Sequence, residues 1–391
     1  MEIVFWTLLS FIFYTYFGYP LLLYVKSVFH IVTVAKKDAK PYQKVSIIIA
    51  ARDEEKNIQR RIQNIIDQDY SKDKMELIIV SDGSQDNTSG IVERFMKEAH
   101  ERDAEGISSL RLISNSFSRG KPFSINRGVA AASGEIIVFT DCRQRFSNNA
   151  VKHLVSNFSD KNVGCVSGNL IFEEAAGSSI QAEMVAYWGF EKWLRKLESE
   201  TGSVPGATGA IYAIRKNLFH PLPEQTLLDD VLIPLRTSMQ GYRTILDSNA
   251  IAYDIVSEGL LLEKKRKIRT LAGNWQLLAL EPALLNPFRN PLWLRFLSHK
   301  IFRLLIPYCM VALISIAFFV RDVYSIFFLI ALFLFVIIAF LPPLSAHLKI
   351  ITKLAQASRA IIFLNYFAFL APFKLALGTK KLWSDNPDRN D

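Results

Sequence analysis

Cysteine is scarce in this chain of 391 residues. Cys142, Cys165 and Cys309 are the three, and no spacing among them matches a zinc site or a disulfide framework. A reducing compartment accommodates them. Internal repeats and low-complexity tracts are missing, which excludes solenoid and tail-like architectures. No basic, aromatic-studded groove or nucleic-acid-binding motif accompanies the net charge of +9, so the excess of 46 basic over 37 acidic residues suits anionic lipid headgroups or a phosphate-bearing ligand. Charge itself is absent from long stretches at both ends. Residues 3–25 carry none, enough for one spanning helix of about 20 residues. A cleavable signal is the competing reading, but no basic residue precedes the run and no clear small-residue cleavage site follows it.

Residues 304–320 and 323–346 form two more uncharged runs, separated by Arg321-Asp322 and closed by His347 and Lys349. A third carboxy-terminal run, residues 360–373, is short unless Arg359 and Lys374 snorkel to the interfaces. The expected organisation is an anchor over residues 1–30, a water-soluble domain over 41–280, an interfacial segment over 281–303 and a membrane region of two or three spans over 304–377. Only Glu2 precedes the first run, whereas Lys26, Lys36, Lys37 and Lys40 follow it, so the positive-inside rule puts the middle of the chain in the cytoplasm. Lys300 and Arg303 agree; Lys380 and Lys381 fit an odd third span poorly.

The middle reads as alternating strands and helices. Apolar runs at residues 44–51, 75–80, 110–114 and 135–140 have the look of buried strands. Helical patterns at 57–68, 88–99 and 121–132 lie between them, the second capped by Asp86 or Asn87. This order predicts an α/β fold with a doubly wound, mostly parallel sheet. Ligands on such sheets bind at the carboxyl ends of the strands, where Asp53, Asp82 and Asp141 fall. Residues 178–197 form an amphipathic helix that either rests on headgroups or covers the sheet.

Taken singly, these acids are weak signals. An Asp-Gly-Ser after a strand is commonly a turn, and Asp229-Asp230 is placed to favour a helix N-terminus. In series they carry more. Ile49-Ala50-Ala51-Arg52-Asp53-Glu54, Val80-Ser81-Asp82-Gly83-Ser84, Arg119-Gly120-Lys121, Phe139-Thr140-Asp141, Gly206-Ala207-Thr208-Gly209-Ala210 and Leu228-Asp229-Asp230 together resemble the family 2 glycosyltransferases of GT-A fold. The resemblance is nearest to the membrane-embedded branch of cellulose, chitin, hyaluronan and poly-N-acetylglucosamine synthases, and covers residues 45–273.

That resemblance implies a nucleotide-sugar donor, with UDP as the expected nucleotide. It implies that Ala50, Arg52, Glu54 and Asp82 hold the nucleoside and that Lys121 lies near the diphosphate. Asp141 takes the first place of the family's Asp-x-Asp metal motif, for Mg²⁺ or Mn²⁺. Asp230 matches the catalytic base, with Asp229 as its neighbour, and Gly206 and Gly209 let backbone approach the acceptor. The acceptor is a saccharide or a lipid, membrane lipids surround the chain, and partner subunits remain open.

Two departures stand out. Arg143 occupies the place of the second metal-binding Asp. The family's Gln-x-x-Arg-Trp segment reads Arg266-Lys267-Ile268-Arg269-Thr270; Arg269 keeps a cation for the diphosphate with Arg266 beside it, while Trp275, a turn on, is the candidate stand-in for the lost Trp. The first departure leaves a second reading, a catalytically silent nucleotide-sugar-binding regulator or scaffold of a membrane synthase. The second argues against processive polymerisation.

Overall fold

The computed structural model describes residues 1–35, 43–101, 109–173, 180–255, 260–341, 349–379 and 382. Lys36, Lys37, Lys40, His347, Lys380 and Lys381, used above for orientation and span ends, lie outside the described residues. Eight strands form one sheet: β1 (Val45–Ala51), β2 (Met75–Asp82), β3 (Ser109–Asn115), β4 (Ile136–Thr140), β5 (Arg145–Phe146), β6 (Val163–Glu173), β7 (Tyr212–Arg215) and β8 (Arg243–Ile255). Their order across the sheet is β3-β2-β1-β4-β7-β6-β8-β5.

The first four strands pair in parallel, as the alternating pattern requires. Here β1 and β2 are buried almost throughout, and successive side chains point to opposite faces. Ile47 and Ile49 enter one core with Leu77, Ile79 and Val138 beneath Ile58, Ile62 and Ile65 of the helix Glu55–Ile66. Ile48, Ile78, Val80 and Ile137 enter the other, beneath Ile125 and Val129 of the helix Lys121–Ala131. Each such side chain contributes about 1.5–3 kcal/mol by leaving water, and a one-residue slip of register would exchange the two sets.

Beyond β4 the sheet becomes mixed. β7 runs antiparallel to both β4 and β6, β6 and β8 are parallel, and β5 is antiparallel to β8. The chain reverses around β1, with β2 and β4 leaving it on opposite sides, so a crevice opens at the carboxyl ends of these strands.

Among the described residues three helices are long and apolar enough to cross a membrane: Glu2–Phe29, Trp293–Val320 and Ile350–Ala376; Val323–Ala339 is a shorter apolar helix. The doubtful run at 360–373 lies within a 28-residue helix, Lys349–Ala376, since helical residues on either side extend it beyond its uncharged part. Within the segment expected at 281–303, helix begins at Trp293 and continues through a π-helical turn, Leu297–Ile301, into Phe302–Val320.

These helices are not appendages. Phe296, Ile301, Leu304 and Ala371 belong to the same buried cluster as Ile48 and Val80. The helix Ile180–Glu200 lies between domain and anchor: it packs against β8, and its Leu194 and Leu197 bury Tyr19 and Leu23 of the first membrane helix. It therefore covers the sheet, as one of the two readings had it, and also meets the first apolar helix.

Candidate active site

The carboxyl ends of β1, β2 and β4 deliver their acids to different layers. Asp82, at the end of β2, is buried, and its carboxylate accepts four hydrogen bonds from one segment: Asn115 Nδ2 (2.9 Å), Ser118 Oγ (2.8 Å) and the backbone N–H groups of Arg119 (2.9 Å) and Gly120 (2.8 Å). Burial works against ionisation, but these donors outweigh it and hold the carboxyl below its ordinary range. Gly83 follows at φ 66°, and a Cβ there would lie 2.5 Å from the Ser118 backbone nitrogen. Arg52 Nη1 donates to the same Ser118 hydroxyl at 2.8 Å. Asp82 and Arg52 thus fasten the loop that presents Lys121, behind the cavity wall.

The cavity, of about 400 Å³, is lined by Ala50, Glu54, Lys121, Asp141, Gly209, Asp229, Asp230, Arg266 and Arg269 among the residues expected from sequence. Arg52, Asp82 and Gly206 do not line it; Ala207 does. Glu54 sits after β1, its carboxylate accepting from Asn57 Nδ2 at 2.8 Å. Lys121 opens its helix, and its ammonium stands between Asp141 Oδ1 (2.9 Å) and Asp229 Oδ1 (3.3 Å). Burial opposes the charge on both Lys121 and Asp141. Their pairing outweighs it, raising the lysine and, with Arg143 and Arg269, lowering the carboxyl.

Asp229 and Asp230 occupy the first turn of the helix Asp229–Met239, where the helix dipole favours negative charge. Asp229 is buried and accepts from Tyr212 Oη at 2.9 Å. Asp230 accepts from the Gly209 N–H at 3.1 Å, and burial together with Asp229 pushes its carboxyl up to about 6, against the pull of Lys121 and Lys300. The two adjacent acids have separate environments, one anchored by a phenol and an ammonium, the other turned to a glycine.

The segment carrying Gly209 is held from both sides. Thr140 Oγ1 accepts from buried Arg61 at 2.7 Å and donates to the Ala210 carbonyl at 2.8 Å. Arg195 donates to Thr208 Oγ1 at 2.7 Å and to the Gly206 carbonyl at 3.1 Å. A Cβ on Gly209 would stand 3.0 Å from Asp230 Oδ2, closer than ordinary packing. Gly209→Ala is accordingly expected to lower turnover about 10- to 100-fold by displacing that carboxylate, with little change in thermal unfolding; equal losses of stability and activity would place the defect in folding instead.

Arg143 lines the cavity, and its guanidinium meets buried Asp254 of β8 at 3.0 Å. The departure at this position thus joins the end of β4 to β8. Trp275 does not line the cavity: it packs on the core shared with the membrane helices, and the aromatic on the wall is Trp188. Sequence reasoning also missed Glu191, Arg195, His299, Lys300 and Arg303, all on the wall. The available signals were the charged stripe Glu191, Arg195, Glu198 along one helix face and three ionisable residues, at 299, 300 and 303, in the opening turns of an apolar helix.

Comparison with known proteins bears on the family and the fold. Residues 46–222 match the family "Glycosyl transferase family 2". The chain carries a family 2 glycosyltransferase domain on a GT-A fold. Among curated proteins it is 25% identical over 252 residues to "Probable glycosyltransferase YdaM" of Bacillus subtilis, an alignment spanning 61% of this chain and 57% of that one. It is 19% identical over 254 residues to the poly-beta-1,6-N-acetyl-D-glucosamine synthase of Staphylococcus epidermidis, spanning 64% of this chain and 59% of the relative. The matches thus cover less than two thirds of those relatives. Among solved structures, the mannosyltransferase PcManGT of Pyrobaculum calidifontis, in complex with GDP-Man and Mn²⁺, superposes with a TM-score of 0.69 at 21% identity, over 95% of this chain and 99% of that one.

Proposed function

We propose that the chain is an inverting, metal-assisted glycosyltransferase that moves a sugar from a UDP-sugar to a saccharide or lipid acceptor at the cytoplasmic membrane face. The observation that carries this reading is the meeting of Lys121, Asp141, Asp229 and Asp230 in one cavity with Arg266 and Arg269 on its wall. Asp230 takes the proton of the acceptor hydroxyl as that oxygen attacks the anomeric carbon. The bond to the diphosphate breaks on the opposite face, and no covalent nucleophile is required. Lys121, Arg266 and Arg269 receive the charge gathering on the departing diphosphate.

No cluster of three His, Cys, Asp or Glu among the described residues forms a metal cage. A half-buried carboxylate opening on the cavity nonetheless fits Mg²⁺ or Mn²⁺, hard ions that Mg²⁺ sites typically hold through one or two carboxylates plus substrate phosphates. Asp141 would hold the ion, which when bound supplies further charge for the leaving group. Chelation with EDTA is expected to cut turnover at least 100-fold, restored by Mn²⁺ or Mg²⁺, with Asp141→Asn needing more metal for half-maximal rate. Turnover indifferent to both would remove the ion from this reading.

The silent-scaffold reading, suggested by Arg143 in place of a metal-binding Asp, is the weaker one because Lys121, Asp141, Asp229 and Asp230 meet in one cavity. The deciding experiment supplies the full chain in detergent with a panel of UDP-sugars and sizes the product. A long saccharide identifies a polymerase, a single sugar on lipid a single-transfer enzyme; donor binding without turnover defeats the proposal.

A further inference from the structure

One end of the cavity is unlike the rest. The helix Trp293–Val320, apolar enough to span a membrane, brings three ionisable side chains, His299, Lys300 and Arg303, to the cavity wall within its first turns. Charge inside a spanning helix is costly and is retained where it meets a partner or a ligand. Two of the three have partners. His299 lies with Nε2 2.7 Å from Glu191 and Nδ1 2.8 Å from Glu198, and Arg303 pairs with Glu191 at 2.9 Å. Tyr19 of the first membrane helix donates to Glu198 at 2.5 Å.

These contacts occupy both oxygens of Glu191 and one of Glu198. Among the described residues no carboxylate oxygen comes within 4.0 Å of the Lys300 ammonium. Its charged neighbours are Glu191, Arg195, Glu198 and Arg303. Arg195 spends its donors on Thr208, Ser167 and Gly206. Arg195, Lys300 and Arg303 face Glu191, Glu198 and Asp230; of these cations Arg303 is ion-paired and Arg195 is hydrogen-bonded, and Lys300 is the one with neither among the described residues. The π-helical turn that carries Lys300, residues Leu297–Ile301, is a departure from regular helix of the kind often found at binding sites. Asp230 lines the same cavity and feels the charge of Lys300.

Resting on the transferase reading above, we propose that the acceptor carries a phosphate beside its accepting hydroxyl, and that Lys300, within the field of Arg195 and Arg303, holds it at the membrane end of the cavity. An ammonium with no carboxylate partner among the described residues is suited to a phosphate as a point charge. Lys121, Arg266 and Arg269 serve the donor diphosphate, so Lys300 is a second anion site. In transfer, the acceptor hydroxyl oxygen bonds to the anomeric carbon, its proton passes to Asp230, and the nucleoside diphosphate leaves with the electron pair of the broken bond. The acceptor phosphate is untouched.

A lipid headgroup and a soluble phosphate ester present the same chemistry, and matched probes separate them. The full chain in detergent is titrated with glycerol 3-phosphate against glycerol, and in nanodiscs with phosphatidic acid against diacylglycerol. Wild type is expected to bind a phosphate probe at least tenfold better than its neutral partner. Lys300→Met removes that preference, Lys300→Arg restores most of it, and Lys26→Met, at the end of the first membrane helix and off the cavity wall, leaves it intact. Preference confined to phosphatidic acid assigns a lipid source; preference for glycerol 3-phosphate assigns a soluble one. No phosphate preference in wild type, or an unchanged one in Lys300→Met, overturns the inference. Donor turnover without phosphate preference leaves the transferase reading standing alone, whereas phosphate binding at Lys300 without donor turnover retires that reading and keeps the anion site.

Discussion

Asp230→Asn is expected to bind the nucleotide-sugar donor as wild type does and to transfer its sugar about 1,000-fold more slowly, the range general-base removal commonly covers. The amide preserves shape and keeps an oxygen able to accept from the Gly209 N–H, so the Gly206–Ala210 segment stays in place. What it loses is the site for the proton. The same residue sets an acid limit on the wild type. Its carboxyl is raised to about 6 by burial and by Asp229, so below that pH the folded protein holds it protonated and unable to accept. The rate kcat/KM is expected to fall tenfold per pH unit below about 6 and to level off above it, and the variant should lose this limb. A variant that keeps both rate and limb would move the base elsewhere.

Lys121→Met should be nearly as damaging, for a different reason. The ammonium is the group that Asp141 and Asp229 both face, at 2.9 and 3.3 Å, and its field also reaches Asp230. Without it Asp141 and Asp230 lose a counter-charge, and both resist ionisation more strongly. The donor loses a cation for its diphosphate, a loss on the order of 100-fold or more in turnover. The acid limb should also move upward, because Lys121 is among the charges that lower Asp230. Lys121→Arg retains the charge on a wider, planar head and should recover part of the rate. A pH–rate profile for the three proteins separates the effects; an unmoved limb in Lys121→Met would mean that the lysine does not govern the base.

The donor half of the domain was legible in the sequence because its signals are local. Runs such as Ile47, Ile48 and Ile49 announce a strand covered on both faces, and helices with Ile58, Ile62 and Ile65 at helical spacing announce what covers it. The reversal of β7 was not legible. Four residues, Tyr212–Arg215, carry no directional information, and their antiparallel pairing with β4 is fixed by contacts across the sheet. At the site, the acids at strand ends were found, but sequence did not separate Asp82, consumed by the segment after β3, from Asp141, open to the cavity. Trp275 was chosen for closeness along the chain, whereas Trp188 reaches the wall from a helix distant in sequence. Lys300 and Arg303 were legible as orienting charges, yet their inward placement depends on the partners Glu191 and Glu198 and on the widened helical turn.

The sharing of one buried cluster by Val80, Phe296, Leu304 and Ala371 has a practical consequence for anyone seeking a soluble fragment. Cutting the chain before Trp293 would strip a side of the core as well as the greasy helices, and would take Lys300 and Arg303 off the cavity wall. The trimmed protein should aggregate or, if rescued by detergent, sit idle with its donor. The apolar helix Trp293–Val320 is a wall of the cavity itself, and extraction has to carry lipid-like surroundings along with the domain.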